Sequence, residues 1–326
     1  MGTFGGRRAV ARASALSALA LTLAVPLVAL TGCSGALDQA HTVQTHLNRI
    51  DEIESADVST PSATVGPEIT VTYDGSSSAR ELSRLIAAID RVADGEDYPS
   101  YRLDLIPTDR RNDRLTVDDA FAGSPDEGTV LANWLSTSSV LLGDVHYRFE
   151  SGQESIDVDS GAGILHDVGE ASRIGYGLDG TTWTFHDGED TFVVEGQVGP
   201  SDVSLFQDAA RTLSSQALPA PASSWRLERR DDQLLLDLGV GLPGGPVPAD
   251  QLTTSTYGDD VQRLAAVALA AARSAALPIT LRLVNPAPAG SDVFGFWASD
   301  QRPVRGRDPL MRGWDRWLSR LAGQHA

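Results

Sequence analysis

Cys33 is the single thiol in 326 residues, and it closes the stretch Leu30-Thr31-Gly32-Cys33 at the end of an apolar run. A thiol is the nucleophile that accepts acyl, alkyl and metal partners. One thiol alone makes no intramolecular disulfide and no thiolate cluster. The other reactive pairing is imidazole beside carboxylate, which occurs twice, as His166-Asp167 and His186-Asp187, with Glu170, Glu189 and Asp190 close by. Imidazole and carboxylate hold Zn²⁺ or Mn²⁺ and leave a position for an activated water. These four residues are therefore the metal-site candidates, and a metal-dependent hydrolase is the alternative activity. The bland alternative is a hairpin tip at His186-Asp187-Gly188 and a surface residue of an irregular segment at His166. Neither pair has the spacing of metal ligands on a helix. Asp157-Val158-Asp159 alternates carboxylates without the glycine and distal Glu of a calcium loop. Gly239-Val240-Gly241-Leu242-Pro243-Gly244 fits G-x-G-x-x-G, but Gly245-Pro246-Val247-Pro248 follows where a dinucleotide site needs a helix to open. No G-x-S-x-G is present, so serine chemistry has no nucleophile elbow. The chain also has no lysine, which excludes Schiff-base chemistry, a phosphate-loop lysine and a Ser-Lys dyad. No cofactor is expected.

The N-terminus resolves the thiol. Arg7, Arg8 and Arg12 precede a run of Ala, Leu and Val over residues 13–30, and Leu30-Thr31-Gly32-Cys33 follows. A basic region, a short apolar region and a small-residue cleavage site form a secretory signal. The stretch resembles the lipobox of bacterial lipoproteins. With the lysine-free composition of a GC-rich genome, it looks actinobacterial. The resemblance implies cleavage before Cys33, a diacylglyceryl group on its sulfur, and a mature chain at the outer face of the cell membrane. It covers about thirty-three residues and implies nothing of the fold. Two acyl chains on one cysteine suffice for stable anchoring. Arg7-Arg8 is a partial match to twin-arginine export.

From residue 33 onward there are 23 arginines against 44 acids, a net charge of −21. Such a surface repels anionic lipid and nucleic acid. The exception is the C-terminus, where residues 301–326 carry six arginines and two acids. On the helix expected at 309–322, Trp314 and Trp317 join an apolar face with Arg312, Arg316 and Arg320 beside it. That face either meets a membrane or partner, or packs on the last sheet with its arginines turned to the acidic body.

Hydropathy patterning places the elements that must position these groups. Val43, Leu47, Ile50 and Ile53 read as a helix face. Ile69, Val71 and Tyr73 read as a strand. Ser78 to Glu81 is a capping box opening a helix. Strands follow around 102–106 and 114–117, then a helix at 127–142, strands with Val145 to Phe149 and Ile156 to Val158, and a hairpin of Trp183/Phe185 with Phe192/Val194. A helix with Val203 and Phe206, strands at 224–229 and 233–238, an Ala-rich buried helix at 259–276 and strands at 279–284 and 292–297 complete the pattern. Arg110 to Asp118 aligns with Arg229 to Asp237, each after a strand opening aromatic-Arg-Leu, at Tyr101-Arg102-Leu103 and Trp225-Arg226-Leu227. This suggests internal duplication. The expected fold is α+β, with two to three modules of antiparallel sheet and helices packed on one face. Residues 1–32 are the signal peptide and 33–37 the lipidated Cys and tether. Residues 38–124, 125–240 and 257–326 are the modules, and 241–256 is a linker. The leading functional expectation is a non-catalytic binding or scaffold lipoprotein. Its partner would be an envelope protein or cell-wall component, met through sheet faces or module junctions.

Overall fold

The computed structural model describes residues 31–324 apart from 63, 65, 175–177, 189, 214–223, 243–244, 246, 288–289 and 301–307. Leu30, Glu189, Pro243, Gly244, Arg302, Arg305 and Arg307, each singled out above, lie outside the described residues. The chain runs α1 (Thr31–Leu47), β1 (Ile53–Val58), β2 (Glu68–Tyr73), α2 (Ala79–Gly95), β3 (Arg102–Pro107), β4 (Arg114–Asp118) and α3 (Glu127–Val140). It continues through β5 (Asp144–Glu150), β6 (Gln153–Asp159), α4 (Ile164–Ala171), β7 (Thr182–Asp187), β8 (Asp190–Glu195) and α5 (Pro200–Thr212). It closes with β9 (Trp225–Arg230), β10 (Gln233–Gly239), α6 (Thr254–Ser274), β11 (Ile279–Ala287), β12 (Gly290–Ala298) and α7 (Pro309–Gln324). The protein is thus mixed α/β.

All twelve strands join one mixed sheet, in chain order. Each hairpin, such as β3–β4, is antiparallel, whereas strands linked through a helix, such as β2–β3 and β4–β5, are parallel. This corrects the expectation of two or three antiparallel sheets. The sheet runs unbroken across the expected module boundaries, since β4 pairs with β5 and β10 with β11. Alternation reveals which face a strand buries, not its direction. The parallel joints come from the helices, which carry the chain back along the sheet before the next strand enters. Two further corrections are local. Ile53 opens β1 rather than extending α1. His166 lies on α4, in a stretch read as irregular, where Gly163 at φ +100° enters the helix without a side-chain cap.

One side of the sheet is apolar along its length. In register, Ile69, Leu103, Val117 and Phe149 form one buried or half-buried row, and Val71, Leu105, Leu115, Tyr147, Ile156, Trp183 and Val194 another. The alternate positions carry Thr, Arg, Asp, Glu and His. Pairing also fixes the two ends of the sheet. We call the lower end the one at which β3, β7 and β11 begin and β4, β8 and β9 finish. Each of α2 through α6 reverses direction relative to the last, because the strands it joins do.

Both outer edges are closed by side chains. On the free side of β1, Asn48 Oδ1 accepts from the Ala56 N–H at 2.8 Å and the Gln44 amide donates to the Ala56 carbonyl at 2.9 Å. On the far edge, the Phe296 N–H of β12 donates to Asp315 Oδ1 of α7 at 2.8 Å. An open edge is a template for pairing with another chain, and α1 and α7 occupy both. Gly295 lets α7 approach closely, because a Cβ there would lie 3.2 Å from Trp314 Cβ. Trp314 is fully buried and its indole N–H donates to the Leu252 carbonyl at 2.9 Å. Trp317 stacks edge-on against Trp314 and packs beside Gly258 of α6. Trp314 is thus inside the fold rather than at a membrane or partner surface, whereas Trp317 is only half-buried. Arg312, Arg316 and Arg320 remain exposed.

Asn48→Ala and Asp315→Ala each leave a strand N–H without its partner, a loss of about 1–3 kcal/mol. The sites are at opposite edges, so the losses are expected to add. Urea unfolding measures the stability, and light scattering should show the double variant self-associating where the wild type does not.

Candidate ligand-binding groove

A groove lies between α5 and α6. Leu205, Ala209 and Leu213 wall it from α5, and Ala271, Ala275 and Ala276 from α6 and the turn after it. Leu227, Leu234, Leu236 and Ile279 of β9 to β11 make the floor. Its volume is about 290 Å³, and a second compartment of about 420 Å³ shares Ser201, Leu205, Leu234 and Ala276 with it. That is the size range of small-molecule sites. The gap follows from composition. Ala265, Ala268 and Ala272 bury one face of α6, while Ala271 and Ala275 turn only methyl groups toward α5.

The mouth is polar and sits at the lower end. Pro200 opens α5, and the Asp202 carboxylate accepts from the Gly199 N–H at 2.8 Å. Asp202 Oδ1 and Arg229 Nε are 2.5 Å apart, with side chains 3% and 17% exposed. The approach is that of an ion pair, although the angle is not that of a hydrogen bond, and both atoms otherwise have no partner. Arg229 also donates to the Gln197 carbonyl at 3.1 Å. Two charges so shielded must compensate one another, so the mouth residues are committed to holding α5 against β9.

The histidine pairs are not brought together. Asp167 is fully buried, and its Oδ1 accepts from the N–H groups of Leu142 at 2.9 Å and Gly143 at 3.5 Å. It thereby fastens the turn between α3 and β5. His166 Nδ1 is 3.5 Å from the same oxygen and the ring is largely exposed. His186 lies on the polar side of β7, with Nε2 3.2 Å from Asp157 Oδ2 and Nδ1 3.2 Å from Thr191 Oγ1. Asp167 meets β6 on the Val158 side and His186 on the Asp157 side, so the sheet stands between them. Asp187 is at the exposed hairpin turn. Among the described residues no group of three or more His, Cys, Asp or Glu is placed to hold a metal ion.

Other buried carboxylates prove structural. Asp104 is 1% exposed on the polar side of β3, accepting from Thr116 Oγ1 at 2.7 Å and Arg114 at 3.1 Å. Burial raises its pKa, against the pull of Thr116 and Arg114. Burial also raises the Asp113 carboxyl, which accepts from Ser138 and from the Val145 N–H and pairs with Arg110. Glu154 accepts from the hydroxyls of Tyr147 and Thr181, and burial pushes its pKa up. None of these lines the groove. The groove residues were missed at the level of sequence, where the run Leu264 to Ala276 signals a buried helix and nothing more. No family model, curated protein or solved structure matches the chain, so function rests on the geometry.

Glu154→Gln tests the burial effect. A carboxyl raised in the folded state keeps its proton where the unfolded chain has lost it. Stability therefore falls as pH rises from the ordinary Glu value, about 4.3, through the folded one. The hydroxyls of Tyr147 and Thr181 can turn to accept from an amide, and the Asn133 amide beside them can face the carbonyl oxygen of the glutamine. Urea unfolding is expected to show variant and wild type closely matched at pH 4 and the variant more stable at pH 8. An advantage that shrinks with rising pH contradicts the assignment.

Proposed function

We propose that the chain is a lipid-anchored envelope protein, tethered through Cys33 to the outer face of the cell membrane, that binds a ligand without catalysis in the α5–α6 groove. The observation that carries the reading is the sequence Leu30-Thr31-Gly32-Cys33, followed by a helix packed on the domain. Cys33 lies on α1, the helix docked on the domain. Gln39 on that helix donates to the carbonyls of Glu96 at 2.6 Å and Asp97 at 2.5 Å, just after α2. Ala40, Val43 and Leu47 bury the same helix. Such a tether holds the domain close to the bilayer. No helix among the described residues is long and apolar enough to cross a membrane. The groove supports binding over reaction, since Leu, Ala and Ile dominate its inner lining and its buried acid, Asp202, pairs with Arg229, while Asp208 and Asp231 also line it.

We also infer that the seven helices form one layer on the apolar side of the sheet, and that the α–β–β unit multiplied by duplication. Successive helices touch along the whole row, from α1·α2 to α6·α7. The motifs Tyr101-Arg102-Leu103-Asp104 and Trp225-Arg226-Leu227-Glu228 open β3 and β9. Both place a buried acid among arginines on the polar side: Asp104 beside Arg114, and Glu228 beside Arg226 and Arg230. The aligned Arg110 and Arg229 have diverged. Arg110 donates to the carbonyls of Leu141 and Gly143, Arg229 to that of Gln197.

Intact-mass measurement of the protein extracted from membranes tests the anchor. The expected species begins at Cys33 and carries a diacylglyceryl group. Cys33→Ser should remove the lipid mass and the processed species together. A membrane-extracted wild type with an unmodified Cys33 rejects the reading.

A further inference from the structure

We propose that the α5–α6 groove binds a hydrophobic amine, with the apolar body between the helices and the ammonium at the acidic mouth. This rests on the groove reading above and not on the anchor. The inner compartment, of about 290 Å³, receives the body. Leu205, Leu213, Leu227, Leu236 and Ile279 meet it with hydrocarbon, and Ala271 and Ala275 leave the space. Each methylene moved there from water is worth about fourfold in affinity.

The charges on the lining set the sign of the polar group. Asp208 lines the inner compartment, and Asp202 and Asp231 line the outer one, against one cation, Arg229. Three carboxylates and one guanidinium make a net charge of −2. Arg229 is already engaged by Asp202 at 2.5 Å and by the Gln197 carbonyl at 3.1 Å. An anionic ligand therefore finds no free cation among the described lining residues. A cationic ligand does find acceptors. Arg230 pairs with Gln233, so Asp231 and Asp232 form the two-residue turn between β9 and β10. Asp231 takes φ +42° there, a conformation that Asp and Asn tolerate, and it has no ion-pair partner among the described residues. Asp208 is 3.5 Å from Arg211, but the side chains are 69% and 70% exposed, so water and salt weaken that contact. Asp202 is buried, yet its Oδ1 makes no hydrogen bond, which leaves a lone pair for an ammonium N–H. The field of the whole chain acts in the same sense, with a net charge of −21 from residue 33 onward.

Three probes that share one apolar body test this: 1-aminoadamantane, 1-adamantanol and 1-adamantanecarboxylate, which at pH 7 are a cation, a neutral molecule and an anion. Their affinities for the full chain in zwitterionic lipid nanodiscs are measured by equilibrium dialysis against empty discs. The expected order is amine, alcohol, carboxylate. The first and last should differ at least tenfold at low salt, and the gap should narrow as salt is added. Asp208→Asn and Asp231→Asn should each lower amine affinity about threefold and leave the alcohol unchanged. Ala271→Phe fills the groove and should lower amine and alcohol affinity at least tenfold, with a retained melting temperature showing that the variant is folded. Ala275→Phe serves if Ala271→Phe does not fold. Alcohol binding that filling abolishes, with no preference for the amine or no response to either Asn variant, overturns the inference and leaves the groove as a binding site. Binding of every probe indifferent to filling, or no binding of any, removes the groove reading and the inference together.

Discussion

Each strand of this sheet places alternate side chains on one continuous apolar face, and keeping that face from water constrains everything else. The strands run in pairs of opposite direction, so the helices joining the pairs run alternately up and down. If all of them cover the same face, as we infer, the strand–helix–strand crossovers must alternate in hand. Parallel crossovers are otherwise right-handed in about 98% of cases. On that inference the chain accepts an unfavourable connection at alternate units, and a single face is sheltered. Packing between antiparallel neighbouring helices supplies a compensating contact, and the closely packed ring pairs of Trp134 with Tyr147 and Phe185 with Phe192 lie beneath them.

An open sheet of twelve described strands leaves two terminal strands, and these are its weak points. Here the first and last helices provide the ends. Asn48 and Gln44 satisfy the backbone of Ala56, and Asp315 that of Phe296. The solution at the two edges is the same in kind but built from unrelated residues, as expected of caps adapted separately. At the first edge the capping helix also carries Cys33. Under the proposed anchoring, covering the edge of β1 and setting the distance to the membrane would be tasks of one helix.

Much of this was legible in the residues. The alternation in β2 through β12, the capping box at Ser78 and Glu81, the Gly188 turn and the Pro309 helix start all mark real elements, because each is a local rule written in a few neighbouring side chains. The misreadings have local causes too. Ile53 continues the spacing of Val43, Leu47 and Ile50, and the register shift between Ile53 and Ser55 breaks the alternation that would mark a strand. Helix α4 is eight residues long and enters through a glycine, with no capping side chain to announce it. Strand direction leaves no trace in alternation, so one mixed sheet looked like several antiparallel ones. The His-Asp pairs shared a composition and no geometry: adjacent strand residues face opposite sides, and Asp167 had a backbone turn to hold.

The groove was illegible for a different reason. A cavity is a difference between what neighbouring elements supply and what the space between them requires, and no single element encodes it. Helix α6 is apolar on most sides, which reads as burial, and it is indeed buried on the face of Ala265, Ala268 and Ala272. Its next face meets α5 with methyl groups where other helix pairs interpose larger side chains such as Leu131 and Trp134. Native interiors leave few voids larger than a water, because unfilled apolar volume costs stability. An opening of about 290 Å³ lined chiefly by leucine and alanine is therefore a feature the fold must tolerate unless something occupies it.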